Sequence, residues 1–365
     1  MVVQKGLKGV VAAETELSYI DGEKGILIYR GYEANKLATS RSFEEVAYLI
    51  WYGKLPSDVE LASLKTKMAS ARILPGYIKT IIDVLPPQMG MMEAVRTAVS
   101  ALGTHKFGWK PEVEQGIELT SQIASIIAYW HRKTNHLKPV EPDSTLSHVE
   151  NYLYMLKGER PTPASLKALE AYMILTLEHG MNASTFSARV IASTESDMVS
   201  AITGAIGAMK GPLHGGAPTG IISMLDEIKT EDRAQEWLRN KLDRNERIMG
   251  FGHRVYKARD PRAQALSEIA NTVNTDDHWL RLASFVEKQA IKLLEEYKPG
   301  RRLYTNVEFY AAAVMKAIDM EPELFTPTFT ASRVVGWSAH VVEQSEDNTI
   351  YRPESSYSGL LPANV

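Results

Sequence analysis

Chemistry in this chain must come from imidazoles, guanidiniums and carboxylates, because its 365 residues include no cysteine. That removes disulfides, thiolate metal sites, iron–sulfur clusters and cysteine nucleophiles together. Several stretches set polar and charged side chains beside glycines in otherwise apolar surroundings. In Glu178-His179-Gly180-Met181-Asn182-Ala183-Ser184-Thr185 a helix is expected to end near His179, with Gly180 breaking it and Ser184 or Thr185 opening the next. A histidine at such a junction can face a cleft; the plainer alternative is a capping His beside a capping Asn. Lys210-Gly211-Pro212-Leu213-His214-Gly215-Gly216-Ala217-Pro218 surrounds one His with small or cyclic residues, which allow tight turns and close approach of a ligand. No G-K-[ST] follows, so this is not a phosphate-cradling loop. A turn carrying an exposed His fits equally well.

Met249-Gly250-Phe251-Gly252-His253-Arg254-Val255-Tyr256-Lys257-Ala258-Arg259-Asp260-Pro261-Arg262 is the densest stretch. It opens like a dinucleotide-binding G-x-G-x-x-G, but Val255 stands at the third glycine and no strand precedes it, so that reading fails. Asp260 suits a helix N-cap with Pro261 at the first helical position, which puts Arg262 in the first turn. A guanidinium and free backbone N–H groups there can address one carboxylate. Downstream, Tyr304-Thr305-Asn306-Val307-Glu308-Phe309 leads one carboxylate into an apolar helix. Glu308 is either a first-turn acid favoured by the helix dipole or a partly desolvated base. Arg333, in Ser332-Arg333-Val334-Val335-Gly336-Trp337, needs an anionic partner if buried. Arg352, in Tyr351-Arg352-Pro353, is a weaker case of the same kind.

Three His, three Arg and one carboxylate make a coherent set. Three guanidiniums can clamp two carboxylates, and His with Glu can share proton transfer at carbon. That is carbon-acid chemistry on a dianion. No metal is expected, since there is no H-E-x-x-H and no His/Asp cluster close in sequence. No G-x-S-x-G elbow points to a serine hydrolase.

The elements that must position these groups are mostly helices. Ser42/Glu45 and Ser57/Glu60 form S-x-x-E capping boxes ahead of apolar residues at helical spacing. Further helices are expected near 91–102, 114–131, 144–157, 164–178, 184–193, 197–209, 219–228, 231–242, 261–273, 278–296, 307–318 and 328–345. Residues 7–32 alternate apolar and polar around Asp21-Gly22 and read as short strands and turns. Stretches 85–90, 211–218 and 298–300 read as loops or hinges. The expected fold is therefore mainly α, multi-helical, with a small N-terminal β region. With 44% hydrophobic and 23% charged residues and a net charge of −3, the chain fits a globular enzyme and gives no sign of nucleic-acid or membrane binding. The N-terminus has no signal-peptide core, so a cytoplasmic enzyme is expected.

E-H-G-M-N-A-S-T, G-P-L-H-G-G-A, G-F-G-H-R-V-Y-x-x-x-D-P-R, N-V-E-F-Y, S-R-V-V-G-W and Y-R-P occur in this order. Together they resemble the motif set of the citrate synthase family, and the opening S-Y-I-D-G-E-K-G-I-L-I-Y-R-G is similar as well. The resemblance implies a helical homodimer of two-domain subunits, condensing acetyl-coenzyme A with oxaloacetate in the tricarboxylic acid cycle. The short N-terminus is similar to that of the dimeric members. The large domain is placed at 1–218 plus 321–365 and the small one at 219–320. His214 would stabilise the enol, Glu308 would remove the methyl proton, and His253 would polarise the ketone. His179, His253, Arg262 and Arg333 would hold oxaloacetate, with Arg352 reaching in from the partner subunit. Gly250, Phe251, Gly252 and Lys257 would contact coenzyme A. Ser184 and Asn306 would hold the two histidines His214 and His253. No cofactor or metal is permanently bound, and the coenzyme A thioester is a cosubstrate.

One departure stands out. The family usually carries Asp where this chain has Glu308. A ~1 Å misplacement of a reacting group can cost ~100-fold, so the surroundings of Glu308 are expected to compensate. Two rival readings remain: 2-methylcitrate synthase, which uses propionyl-coenzyme A, and a catalytically weak helical dimer with a structural or regulatory role.

Overall fold

The computed structural model describes residues 3–215, 217–253, 255–273 and 278–361; for 217–219 and 271–273 only the backbone is described. Gly216 and Arg254, quoted in the motifs above, lie outside the described residues. The fold is mainly α, as expected. A small antiparallel sheet joins β1 (Ser18–Asp21), β2 (Ile26–Tyr29) and β3 (Tyr32–Glu33) in that order. The first half of the chain then supplies α1 (Ala34–Ser40), α2 (Phe43–Tyr52), α3 (Asp58–Ala71), α4 (Gly76–Val84), α5 (Met91–Ser100) and α6 (Val113–Thr134). The middle supplies α7 (His148–Lys157), α8 (Pro163–Thr176), α9 (Ala183–Ala192), α10 (Met198–Met209) and α11 (Ala217–Ile228). Then come α12 (Glu231–Asp243), α13 (Pro261–Val273), α14 (His278–Tyr297), α15 (Val307–Ala317) and α16 (Phe325–Glu346). No helix among the described residues is long and apolar enough to cross a membrane.

Local chemistry explains most boundaries. Both capping boxes form, and Gly53 ends α2 in the left-handed conformation. Thr162 caps α8 with Pro163 behind it, and Asn182 caps α9 by accepting the N–H groups of Ser184 and Thr185. Three expectations shift. Strand pairing starts only at Ser18 rather than at residue 7. The stretch 211–218 is a turn only as far as its first residues, because α11 already begins at Ala217; Pro218 falls in the first turn, where its missing N–H leaves no bond unmade. Helices α1 and α4 carry no side-chain cap and gave no signal; burial of Leu37 and of Ile78 and Ile82 holds them instead.

The centre of the molecule is α16. It packs against α2, α5, α6, α8, α9 and α10, and nearly its whole length is buried. Small residues let it approach closely. The Gly336 N–H donates to the Leu177 carbonyl at 3.1 Å, a backbone contact between separate elements. A Cβ at Gly336 would lie 2.4 Å from that carbonyl oxygen and 2.5 Å from Glu178 Oε2. At the other end of the chain, the β1–β2 turn reaches the site loop: Gly22 carbonyl accepts the Lys257 N–H at 2.8 Å.

Gly336→Ala would gain about 1 kcal/mol of helix propensity, yet a backbone collision cannot be relieved by a rotamer change. The variant is expected to lose about 1–3 kcal/mol net. Urea unfolding checks this, and unchanged or increased stability would refute the close-approach argument.

Candidate active site

Two loops are sewn together first. Phe251 and Thr305 form an antiparallel bridge, Gly252 N–H donates to the Tyr304 carbonyl at 2.7 Å, and Asn306 N–H donates to Gly250 at 2.9 Å. The Asn306 side chain adds two more bonds, donating to the Gly252 carbonyl at 3.0 Å and accepting the Glu308 N–H at 3.1 Å. Gly250 is in the left-handed region (φ 85°), and a Cβ there would meet the Phe309 ring at 2.7 Å. The result places His253 and the start of α15 side by side.

Asp260 fixes the rest. Its Oδ1 accepts the Arg262 N–H and Nε–H, both at 3.0 Å, and its Oδ2 accepts Arg262 Nη2 at 2.8 Å. The same Oδ2 accepts the Val307 N–H at 3.1 Å. Both side chains are buried. Burial alone would pull Arg262 down, but the Asp260 charge outweighs it and the guanidinium stays protonated.

His253 Nδ1 accepts the N–H groups of Val255 and Tyr256, each at 3.1 Å. The neutral ring therefore carries its proton on Nε2. Burial first, then Arg262, push its pKa down to about 4. Arg262 Nη2 lies 3.5 Å from that Nε2. Two donors thus converge, and an acceptor oxygen between them would satisfy both. His179 lies edge-on to His253, 5.8 Å between centroids, and its Nε2 is 3.1 Å from the Tyr256 hydroxyl. Burial, then Arg262 and Arg333, hold His179 well below the usual imidazole range.

Arg333 is buried, donates Nε–H to the Thr176 carbonyl at 2.6 Å and lies 4.6 Å over the Phe329 ring. Among the described residues it forms no ion pair. A buried guanidinium so placed calls for an anion. His214 sits in the turn after α10, with Nε2 2.7 Å from Ser184 Oγ. Trp337 Nε1–H donates to that same Oγ at 3.0 Å. The Ser184 hydroxyl donates to Asn182 Oδ1 at 2.7 Å, since an amide oxygen can only accept. Asn182 Oδ1 also takes two backbone N–H groups at 3.1 Å, and with the serine proton committed there the His214 Nε2–H donates to Ser184 Oγ in the unliganded site. Burial, then Arg333, set the His214 pKa to about 4.

Glu308 follows the desolvated reading rather than the helix-dipole one. Burial raises its carboxyl to about 7 even though Arg262 and Arg333 pull the other way. The side chain as a whole is only half-buried, while protein surrounds the carboxyl closely. Arg262 and Arg333 act on both Glu308 and His179, and Arg333 also acts on His214, so these groups share one field.

Of the remaining expected residues, Gly250 and Phe251 are buried, Gly252 is half-buried and Lys257 is exposed. Lys257 lines a cleft of about 720 Å³ with Arg259, Lys288 and Arg302. Arg352 is exposed, and among the described residues it shares no hydrogen bond or ion pair with the site. Sequence reasoning read Asp260 only as a helix cap and passed over Tyr256 and Trp337. Asp260 carried a legible signal, its place two residues before Arg262; Tyr256 carried none. His131, Glu321 and Glu323 also converge, within 4.8 Å of one another, a grouping that no sequence spacing reveals and that includes no residue of this site.

A helical shell around buried guanidiniums, neutral imidazoles and a carboxyl titrating near neutrality defines a class: enzymes that bind a small polyanion and exchange a proton with it. Comparison with known proteins then supplies the family. Residues 6–354 match the family described as citrate synthase, C-terminal domain. A citrate synthase of Haloferax volcanii is 39% identical, covering 98% of this chain and 96% of that protein. A 2-methylcitrate synthase of Shewanella oneidensis is 38% identical, covering 99% and 96%. A solved ternary complex of carboxymethyl coenzyme A and oxaloacetate with citrate synthase from Thermoplasma acidophilum superposes with a TM-score of 0.92 at 31% identity, covering 100% of this chain and 98% of that one. The chain belongs to the citrate synthase family and is an acyltransferase. Nothing among these relatives supports a non-catalytic role.

The raised Glu308 carboxyl has a stability consequence. Its folded pKa lies above the unfolded value of 4.5, so the unliganded fold loses stability as pH rises from the unfolded value through about 7. Glu308→Gln removes this cost. Allowing for the part of Glu308 that stays accessible to solvent, the variant is expected to be about 2–3 kcal/mol more stable than wild type at pH 8 and about half that at pH 5.5. Urea titrations at both pH values test this, and an equal difference at both would contradict it.

Proposed function

We propose that this protein condenses acetyl-coenzyme A with oxaloacetate and water to give citrate and coenzyme A. The observation that carries the reading is the convergence of His253 Nε2–H and Arg262 Nη2, 3.5 Å apart, beside a carboxyl raised to about 7. Oxaloacetate supplies what this arrangement lacks: a ketone oxygen for His253 and two carboxylates for Arg262, Arg333 and His179. Glu308 removes a methyl proton of the thioester, and the C–H electron pair becomes the enol. His214 holds the enol oxygen through Nδ1–H once the Ser184 hydroxyl turns from Asn182 to donate to its Nε2. The enol carbon attacks the ketone carbon, whose oxygen takes the Nε2 proton of His253 and becomes the citrate hydroxyl; the proton taken by Glu308 leaves to solvent, from which His253 is reprotonated. Water then cleaves the citryl thioester and coenzyme A leaves as thiol.

Asn306 sets the His253 loop, while the Gly250–Gly252 turn and Lys257 face coenzyme A, with Lys257 and Lys288 serving its phosphates in a cleft where Glu23 and Glu287 pair with Arg302 and Arg259. No metal or permanently bound cofactor enters the reading. Residues 1–218 plus 321–365 form the large domain and 219–320 the small one, closing on oxaloacetate and excluding water before the thioester reacts. Two subunits pair, bringing Arg352 of each to its partner's site, and the enzyme works in the cytoplasm.

A second reading, 2-methylcitrate formation from propionyl-coenzyme A, is favoured by one observation: relatives of both names match at nearly equal identity, 39% and 38%. One methylene in an apolar pocket is worth only ~1–3 kcal/mol. Thiol release measured with both thioesters and oxaloacetate separates the two. We expect a higher kcat/KM for acetyl-coenzyme A; a propionyl preference selects the second reading, and no thiol release with either sinks both.

Glu308→Gln is expected to lower kcat by ~10²–10⁴-fold, and full activity would remove Glu308 from the role of base. Glu308→Asp is expected to be slower than wild type, since the surroundings fit the longer side chain. Wild-type kcat/KM for the thioester should fall towards tenfold per pH unit below about 7, because the basic form of Glu308 is lost as pH drops through that value.

A further inference from the structure

Behind the His179 turn runs a buried chain of polar groups that the proposed mechanism does not use. Glu178 and His340 are both fully buried. Glu178 Oε1 accepts the Gly180 N–H at 2.5 Å and the Ser18 hydroxyl at 2.9 Å, and lies 3.2 Å from His340 Nε2. The Tyr29 hydroxyl donates to the Glu178 carbonyl at 2.8 Å. His340 Nδ1 is 3.1 Å from Arg189 Nε. A guanidinium can only donate, so Nδ1 accepts and the ring proton sits on Nε2, aimed at Glu178. Glu343 Oε2, at 3.7 Å from the same Nδ1, is beyond hydrogen-bond reach.

Arg189 is itself anchored. It donates to Gln344 Oε1 at 2.9 Å and pairs with Glu343, whose Oε1 accepts the Thr15 hydroxyl at 3.1 Å and the Glu16 N–H at 2.9 Å. The chain therefore runs from the N-terminal segment through α16 to the turn that carries His179. Burial pushes Glu178 up, and the hydrogen bonds from His340 and Ser18 together with the Arg333 charge outweigh it, so the carboxylate stays ionised. Its charge in turn favours the protonated form of Arg333.

We propose that His340 is a positioning residue for oxaloacetate: it orients Glu178, and Glu178 fixes the His179–Gly180 turn and faces Arg333 from behind. This rests on the reading that His179 and Arg333 hold oxaloacetate.

His340→Phe keeps a flat ring but cannot donate. It is expected to raise KM for oxaloacetate about tenfold, the size of one lost charged hydrogen bond, with KM for the thioester within about twofold. His340→Gln, whose amide can reach Glu178, should bring KM back to within about threefold of wild type. If the phenyl variant does not fold, His340→Asn, whose amide is too short, is measured in its place. Unmoved KM, a parallel change in both KM values, no rescue by Gln, or failure of the non-donating variants to fold at all would each overturn the proposal. Wild type is assayed alongside: absence of thiol release there defeats the condensation reading itself, whereas an active wild type with an unmoved KM in the variants defeats only the role of His340.

Discussion

One buried carboxylate organises the site. Asp260 caps α13, holds the Arg262 guanidinium with both oxygens and takes the first N–H of α15. The first two tasks lie at the start of α13 and the third reaches α15, and each alone is a common device. Their union means that the cation for the substrate and the helix carrying Glu308 cannot move independently. Removing one member of such a buried pair usually costs 3–5 kcal/mol, because the remaining charge is left without a partner. Asp260 therefore acts on the geometry of the reaction without being required to touch the substrate.

Arg262 is the cation that this pairing satisfies; Arg333 is not satisfied in the same way. Its nearest electrostatic support is Glu178, behind the turn, and its Nε bond goes to a neutral carbonyl. Around it stand His214 and His179, both depressed by burial and by arginine charge. The imidazoles thus remain neutral at physiological pH and can donate hydrogen bonds without adding positive charge. An arriving dianion, in the proposed reading, would supply the charge that Arg333 lacks. That gives oxaloacetate a physical reason to bind first: it relieves a desolvated cation before the thioester enters.

Much of this was legible in the sequence, for reasons that can be named. Helix starts announced themselves where a side chain does the capping, as at Ser42, Ser57 and Asp260. They were silent at α1 and α4, where burial of Leu37, Ile78 and Ile82 replaces a cap. His214 and His253 were visible because glycines flank them, and those glycines are needed by backbone turns that bring loops together. Tyr256 and Trp337 were not visible, since a single aromatic residue reads as core; yet the Tyr256 ring packs against His179, His253 and Arg262, and Trp337 reaches Ser184 through its Nε1–H. Whether Arg333 was buried, and whether Glu308 was a dipole-favoured acid or a desolvated one, are mostly questions about neighbours 25 or more residues away, and spacing within one motif holds no information on them.

Glu308 shows how the longer side chain can be accommodated. Its backbone is held from both sides, by the Asn306 side-chain Oδ1 at its own N–H and by Asp260 at the preceding residue. A rigidly anchored first turn restricts the extra methylene to few conformations, so added length need not become added disorder. The same anchoring places the carboxyl where burial outweighs the helix N-terminus and two arginines. A base matched to neutral pH is efficient because it is both partly unprotonated and strongly basic. The fold holds that matched base at the expense of stability in the unliganded state, which is the direction expected where a site is built for reaction rather than for its own cohesion.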